Sequence, residues 1–186
     1  MTIKVIVIIP AKSHSNRLKN KNISKIEGKT LIEHSIHYAK LSKYVEEIYV
    51  SSDSDFIKKI SFDNKVNYID RPENLLGEAE VADIYVDFVN KVDCTKFDYL
   101  IALQPDHPDR ENKLDELIEY SFNKKYMDLF TVNKDGTRNG SVRIIEMKFL
   151  LDGKMSRRVG SVMDNCTNIE TPETFEIARK KLESQV

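Results

Sequence analysis

Apolar and amphipathic stretches alternate along the chain. Residues 3–9 form an almost unbroken run of Ile and Val, which is typical of a strand buried on both faces of a sheet. In residues 30–42 the apolar positions recur at helical spacing instead. The same patterns predict strands at 46–51, 65–70, 97–104, 128–132 and 156–163, helices at 52–60, 79–92, 111–123 and 171–184, and a strand running into a helix at 140–151. This alternation predicts one α/β domain over residues 1–186, with a mostly parallel sheet flanked by helices.

The composition narrows the functional classes. The chain has 186 residues, which suits one domain with a sizeable core, and its formal net charge of −1 gives no general attraction to nucleic acid or membranes. No apolar run approaches the roughly 20 residues that span a bilayer. Cys94 and Cys166 are the only cysteines and lack metal-binding spacing, which favours a reducing compartment. We therefore expect a cytoplasmic protein that binds neither nucleic acid nor membrane.

The most basic segment, residues 10–22, follows directly after the first predicted strand. Its basic side chains are Lys12, Arg17, Lys19 and Lys21, with no acidic residue among them. Ligands of parallel sheets bind beyond the carboxyl ends of the strands, and residues 104–110 would lie at the same edge. Lysine and arginine can neutralise phosphates while small hydroxyls hold their oxygens, so this loop is predicted to bind a nucleoside triphosphate. The alternative is an ordinary solvated surface loop.

Several segments carry a resemblance to one enzyme family. The opening "IIPAKSHSNRLKNKN" resembles the first motif of the acylneuraminate (CMP-sialic acid) cytidylyltransferases. The segments "GKTLIEHSI", "EIYVSSDSDFI", "RPENLLGE", "LIALQPDHPDR", "RNGSVRI" and "NIETPETFEIA" are similar to later motifs and appear in the family's order. The resemblance covers nearly the whole chain. It implies a Rossmann-like nucleotidyltransferase fold and transfer of CMP from CTP to an acidic sugar of the nonulosonic acid type, with release of pyrophosphate and with Mg²⁺ as cofactor.

The resemblance also implies roles for individual residues. The triphosphate would be bound, and its reaction assisted, by Lys12, Arg17 and Lys21. Further nucleotide contacts would come from Ala11, Ser15 and Asn22. The acceptor would be faced by Gln104, Arg110 and Asn139, and Mg²⁺ would be held by Glu170 and Asn168. Two alternatives stay open, because Gln104 can instead cap its strand and Arg110 can pair with a neighbouring acid.

The sequence departs from the family pattern at four places. Lys12 stands where the family has arginine, which keeps the charge but loses the bidentate fork. Asp106 and His107 replace a Thr-Ser pair, so His107 is either a general base or an exposed loop residue. The paired metal-binding aspartates appear as Asn168 and Glu170. Finally, the path from Thr131 to Arg138 is too short for the family's dimerisation arm.

These departures leave rival hypotheses. Without the arm, the chain is expected to be a monomer or a weak homodimer, and part of the surface that would hold a large sugar is gone. A small phosphorylated or phosphonate acceptor is therefore an alternative to a nonulosonic acid. The altered metal pair favours a further alternative, a catalytically degenerate family member that binds nucleotide without turnover.

Overall fold

The computed structural model describes residues 3–12, 18, 20–76, 80–153 and 157–184. Within these residues the strands are β1 Val5–Pro10, β2 Lys25–Ile26, β3 Lys29–Thr30, β4 Val45–Ser52, β5 Asn67–Asp70, β6 Tyr99–Leu103, β7 Asp128–Val132, β8 Arg138–Glu146 and β9 Val159–Met163. The α-helices are α1 Leu31–Lys40, α2 Asp55–Asp63, α3 Val81–Lys91, α4 Leu114–Lys124, α5 Met147–Leu151 and α6 Pro172–Glu183. Single 3₁₀ turns occur at Lys21–Ile23 and Glu73–Leu75. In the described part of the chain no helix has the length and apolar character that a membrane crossing needs.

The main sheet has seven strands in the order β5-β4-β1-β6-β8-β7-β9. All neighbours run parallel except β8, which is antiparallel to both β6 and β7. The predicted α/β class and mostly parallel sheet are therefore confirmed. The antiparallel placement of β8 was not predicted, because strand direction depends on a turn that the apolar pattern does not encode.

The Ile and Val run of β1 lies at the centre of the sheet because both faces are covered. Val5, Val7 and Ile9 belong to the core on one face, together with residues of α1, α2 and α4. Ile6 and Ile8 belong to the core on the other face, where Phe88 of α3 is fully buried. A strand covered on both faces has no polar side to present, which accounts for its continuous apolar sequence.

Strand ends and short turns assemble one edge of the sheet. The carboxyl ends of β1, β4, β5, β6, β7 and β9 lie there, and the antiparallel β8 begins there. The turn from β7 to β8 is short, with Asn133 N donating to Thr137 O at 2.8 Å, so no projecting arm leaves the fold at this point. The loops after β1, β6 and β9 therefore meet at this edge.

Candidate active site

The loop after β1 is closed by backbone and amide hydrogen bonds. Ala11 N donates to Ser51 O of β4 at 2.9 Å, which continues the sheet pairing beyond Pro10. The Asn22 side-chain amide donates to Lys12 O at 2.9 Å and is buried, so Asn22 joins the two ends of the loop. Ser15 and Arg17, which the resemblance assigns to the nucleotide, lie outside the described residues.

A pocket of about 220 Å³ lies between this loop and the start of α2. Lys12, Asn20 and Asn22 line it from the loop, and Ser54 and Phe56 line it from α2. Ser54 caps α2 by accepting a hydrogen bond from Ile57 N, and Phe56 is 56% exposed at the rim. Two predicted nucleotide-binding residues thus share a pocket with an aromatic ring. The ring was missed because an apolar residue near a helix start is usually assigned to the core.

Lys21 connects the opening loop to two distant segments. Its ammonium donates to Asp106 Oδ2 at 2.7 Å, beyond the end of β6, and to Ile169 O at 2.9 Å, beyond the end of β9. Lys21, which is predicted to bind the triphosphate, is therefore held in place by two hydrogen-bond acceptors. An ammonium group has three N–H donors, so one N–H of Lys21 has no acceptor among the described residues.

Asp106 is shared between Lys21 and His107. Its second oxygen, Oδ1, lies 2.9 Å from His107 Nδ1. Burial alone would raise the pKa of Asp106, but the hydrogen bond from His107 and the charge of Lys21 outweigh it and hold that pKa well below its ordinary value. His107 is 1% exposed, so it is not the exposed loop residue that the sequence left open.

A second pocket, of about 250 Å³, lies between the end of β6, the start of β8 and the start of α3. Gln104 lines it, and its side-chain amide makes no hydrogen bond to another described residue. The amide packs directly over Gly140, where an added Cβ would stand 2.2 Å from Gln104 Cδ. Gly140 therefore leaves the space in which the predicted acceptor-binding amide lies.

Two arginines that sequence reasoning missed also line this second pocket. Arg143 forms a bidentate pair with Asp128 at 3.0 and 2.8 Å, which raises the pKa of the arginine. The Arg138 guanidinium lies 3.7 Å from the centre of the Phe130 ring. Both residues belong to the "RNGSVRI" segment, and the repeated arginine was the available signal.

Arg110, which the resemblance assigns to the acceptor, makes hydrogen bonds within the protein. Its guanidinium donates to Ser141 O at 3.1 Å, Ser35 Oγ at 3.3 Å and Gln104 O at 2.7 Å, and it lies over the Tyr38 ring. Burial lowers the pKa of Arg110. It therefore fixes β6 and β8 internally, and it pairs with neither adjacent acid. Its guanidinium thus donates to one carbonyl just beyond the end of β6 and to one carbonyl within β8.

The side chain of Asn139 borders the second pocket, and both of its polar atoms also make hydrogen bonds within the protein. Its Oδ1 accepts from Thr131 Oγ1 at 2.5 Å and from Ser141 N at 3.2 Å. Its Nδ2 donates to Asn133 Oδ1 at 3.2 Å and to Asp164 O at 3.1 Å. These bonds join β7, β8 and the segment after β9, and a contact of Asn139 with the acceptor stays a prediction.

Asn168 and Glu170 flank the residue that Lys21 contacts. Ile169 N donates to Asp106 O at 2.9 Å, so this segment lies beside the loop after β6. Asn168 Nδ2 approaches Glu170 Oε1 at 3.5 Å, which puts both side chains on one side of the chain. Among the described residues no group of three or more His, Cys, Asp and Glu is arranged to hold a metal. The pair nevertheless fits Mg²⁺, which needs only one or two carboxylates when phosphates and water supply the other oxygens.

Arg71 is a further buried cation at this edge that the sequence analysis did not single out. Its Nη2 donates to Ser51 O at 2.9 Å and its backbone N donates to Ser52 O at 2.8 Å. Burial lowers the pKa of Arg71, and its Nε has no partner among the described residues. The Arg-Pro pair after β5, in the quoted "RPENLLGE" segment, was the signal that could have found it.

Comparison with known proteins gives a consistent family relationship. Residues 6–179 match the family model described as "Cytidylyltransferase". The chain is 26% identical over 148 residues to the N-acylneuraminate cytidylyltransferase of Escherichia coli O18:K1:H7, a match that covers 78% of this chain and 35% of the relative. It is 34% identical over 106 residues to the 8-amino-3,8-dideoxy-manno-octulosonate cytidylyltransferase of Shewanella baltica OS155, covering 56% of this chain and 41% of the relative. The chain thus spans less than half the length of these two curated relatives.

Solved structures show the same fold. A CMP:2-keto-3-deoxy-manno-octonic acid synthetase complexed with CTP superposes with a TM-score of 0.78 at 16% identity, over 98% of this chain and all (100%) of that one. A cytidylyltransferase from Leptospira borgpetersenii superposes with a TM-score of 0.73 at 18% identity, over 98% of this chain and 87% of that one. At these identities the likeness establishes the fold alone.

Proposed function

The chain belongs to the cytidylyltransferase family, and on that premise we propose that it transfers CMP from CTP to an acidic sugar of the nonulosonic acid type. An acceptor oxygen attacks the α-phosphorus in line. The bond between the α-phosphorus and the oxygen that bridges it to the β-phosphate breaks, and pyrophosphate leaves. One observation carries the proposal: Lys21 of the basic loop contacts Asp106, two residues from Gln104 of the second pocket. A nucleotide on the loop would therefore lie beside an acceptor in that pocket.

The work of the protein in this reaction is positioning and charge stabilisation. Lys12, Lys21 and Asn22 would hold the nucleotide, together with the backbone of Ala11, and Gln104 would hold the acceptor. Ser15 and Arg17 remain proposed nucleotide ligands from the family resemblance. Glu170, with Asn168 beside it, would hold Mg²⁺, which neutralises phosphate charge when bound. In this scheme Arg110 and Asn139 act by fixing the strands around the second pocket, where the acceptor would bind.

A small phosphorylated or phosphonate acceptor is the second candidate. The short turn at residues 133–137 favours it, because the arm of the family pattern is absent there. The two arginines of the second pocket, Arg138 and Arg143, also favour it. The same short turn supports the proposal that the chain is a monomer or a weak homodimer.

Pyrophosphate release tests these proposals directly. Each of the four nucleoside triphosphates is offered with nonulosonic acids, with 3-deoxy-octulosonic acids and with small phosphorylated or phosphonate acceptors. We expect release with CTP and a nonulosonic acid. Turnover confined to the phosphorylated or phosphonate arm would establish the second candidate, and equal rates with UTP and CTP would contradict cytidine specificity. CTP binding without release in any arm would establish the degenerate alternative.

Changing Lys21 to Ala should weaken CTP binding by about 1.5–3 kcal/mol, the range for charge-assisted hydrogen bonds. The remaining N–H of the ammonium is the donor that this change removes from a phosphate. Calorimetry with CTP measures the effect. Lys43→Ala is the matched control, because Lys43 is an exposed lysine that pairs with Glu119 at 3.0 Å on another surface. Equal CTP affinity in both variants would mean that the loop is an ordinary surface.

Changing Gly140 to Ala should weaken binding of the acceptor and leave binding of the nucleotide nearly unchanged. The new methyl group would displace the Gln104 amide, whose side chain can move without unfolding the protein. We expect the KM for the acceptor to rise roughly tenfold, the loss of about one hydrogen bond, with the KM for CTP nearly unchanged. Gln104→Ala should give the same pattern. If Gly140→Ala alters only the KM for CTP, the second pocket does not hold the acceptor.

A further inference from the structure

Lys21 and Asp106 form a contact that neither a surface loop nor a simple phosphate ligand requires. The side chains of Lys21 and Asp106 are 13% and 18% exposed, and their charged atoms lie 2.7 Å apart. A carboxylate this close to a site for a polyanion costs binding energy through like-charge repulsion. Its presence therefore needs a compensating role, and orientation of the ammonium is the role that the geometry offers.

The orientation of Lys21 is fully determined by its two acceptors. One N–H points to Asp106 Oδ2 and a second points to Ile169 O, between the two proposed Mg²⁺ ligands. Because the ammonium is tetrahedral, these two bonds fix the direction of the third N–H. The same Asp106 accepts through its backbone oxygen from Ile169 N at 2.9 Å. Asp106 thus fixes the ammonium and the segment 168–170 with respect to each other.

His107 in turn fixes the carboxylate. Its Nδ1 lies 2.9 Å from Asp106 Oδ1, and its Nε2 is buried without a hydrogen-bond partner in the described part of the chain. A carboxylate oxygen can only accept a hydrogen bond, so the hydrogen of this contact is assigned to His107 Nδ1. In that form His107 donates to Asp106 and holds the plane of its carboxylate.

We propose that Asp106 and His107 are positioning residues for the transfer reaction, acting through Lys21. Asp106 aims the third N–H of Lys21 at the phosphates and keeps the Glu170 segment in place, while His107 keeps the Asp106 carboxylate oriented. The proposal rests on the proposed function, and it concerns the two positions at which this chain replaces the Thr-Ser pair of the family pattern. Neither residue needs to touch a substrate.

The variant Asp106→Asn separates a positioning role from a purely electrostatic one. Removal of the charge favours CTP binding, whereas loss of positioning slows turnover. Loss of a negative charge beside the nucleotide site should leave CTP affinity unchanged or tighter. Loss of the fixed orientation of the Lys21 ammonium should lower kcat by roughly 10- to 100-fold, the scale of misplaced catalytic groups. Asp87→Asn, which breaks an exposed Asp-Lys pair at 2.8 Å on α3, is the matched control and should behave as wild type. An unchanged kcat in folded Asp106→Asn would overturn the proposal.

A double-mutant cycle tests whether Asp106 acts through Lys21. In a Lys21→Ala background, Asp106→Asn should cause no further loss of kcat, because the group being aimed is already gone. A full additional loss in that background would mean that Asp106 acts elsewhere, and would contradict the proposal.

Substitutions of His107 provide a test that does not depend on the folding of Asp106→Asn. Asparagine can place an N–H near the position of Nδ1, whereas glutamine reaches the position of Nε2. His107→Asn should retain most of kcat, and His107→Gln should lose at least about tenfold, the scale of one charge-assisted hydrogen bond. Equal inactivity of both variants would favour a general base at Nε2 and overturn positioning. If wild-type protein releases no pyrophosphate in any arm of the acceptor panel, the proposed function itself fails, which is a separate result.

Discussion

Glu170→Gln is expected to abolish Mg²⁺-dependent turnover while leaving the melting temperature almost unchanged. Glu170 supplies the only full negative charge of the Asn168–Glu170 pair, and glutamine preserves its size. Mg²⁺ binds carboxylate oxygens far better than amide oxygens, so the ion would be held by the nucleotide alone. Turnover at saturating CTP over a Mg²⁺ titration measures this loss, and calorimetry of unfolding measures stability.

The competing explanation for Glu170 is purely structural. It precedes Thr171, the N-cap of α6, where a negative charge stabilises the helix by about 0.3–1 kcal/mol. Glu173→Gln is the matched control, since Glu173 lies in the first turn of the same helix and is fully exposed. We expect that variant to keep its Mg²⁺ dependence. Full activity in Glu170→Gln would place the metal elsewhere.

The reverse change, Asn168→Asp, should lower the Mg²⁺ concentration needed for half the maximal rate. A second carboxylate two residues from Glu170 would raise the charge at the site from −1 to −2. The 3.5 Å approach of the two side chains in the present protein shows that both reach the same side. If Asn168→Asp leaves the Mg²⁺ dependence unchanged, Asn168 lies outside the metal site.

The parts of the fold that sequence predicted are those set by local pattern. The Ile and Val run of β1 is buried on both faces, and Thr171-Pro172 starts α6 as expected. The antiparallel β8 was not predictable, because its direction follows from the turn at residues 133–137 and from pairing with β6 and β7. Apolar periodicity gives the position of a strand and does not give its neighbours.

The candidate site shows the same division between local and distant information. Lys21 was identified from charge near a strand end, but its partner Asp106 is 85 positions away in the chain. Asn139 was identified from a motif, yet its hydrogen bonds reach Thr131 and Asp164 in distant parts of the chain. A motif indicates that a residue type is needed at a place. It does not distinguish a side chain that touches the ligand from one that supports the residues that do.

Arg110→Met should destabilise the protein by about 3 kcal/mol, because removal of a partly buried guanidinium takes a donor from Ser141 O, from Ser35 Oγ and from Gln104 O, which among the described residues keeps only the long bond from His107 N at 3.4 Å. For a chain of this length that loss lowers the melting temperature by on the order of 10 °C. Arg179→Met is the matched control, since among the described residues the ion pairs of Arg179 are with Glu176 and Glu183 on the exposed surface of α6, and it should melt near wild type.

Arg110→Lys then separates a structural role from an acceptor-binding role. Lysine keeps the positive charge and loses the fork that serves three acceptors at once. If Arg110 is structural, this variant melts well below wild type, while its folded fraction binds the acceptor with nearly the wild-type KM. If Arg110 instead binds the acid group of the acceptor, the KM rises with little change in melting temperature. The hydrogen bonds from Arg110 to Ser141 O, Ser35 Oγ and Gln104 O favour the first outcome, because Nε, Nη1 and Nη2 each already have an acceptor within the protein.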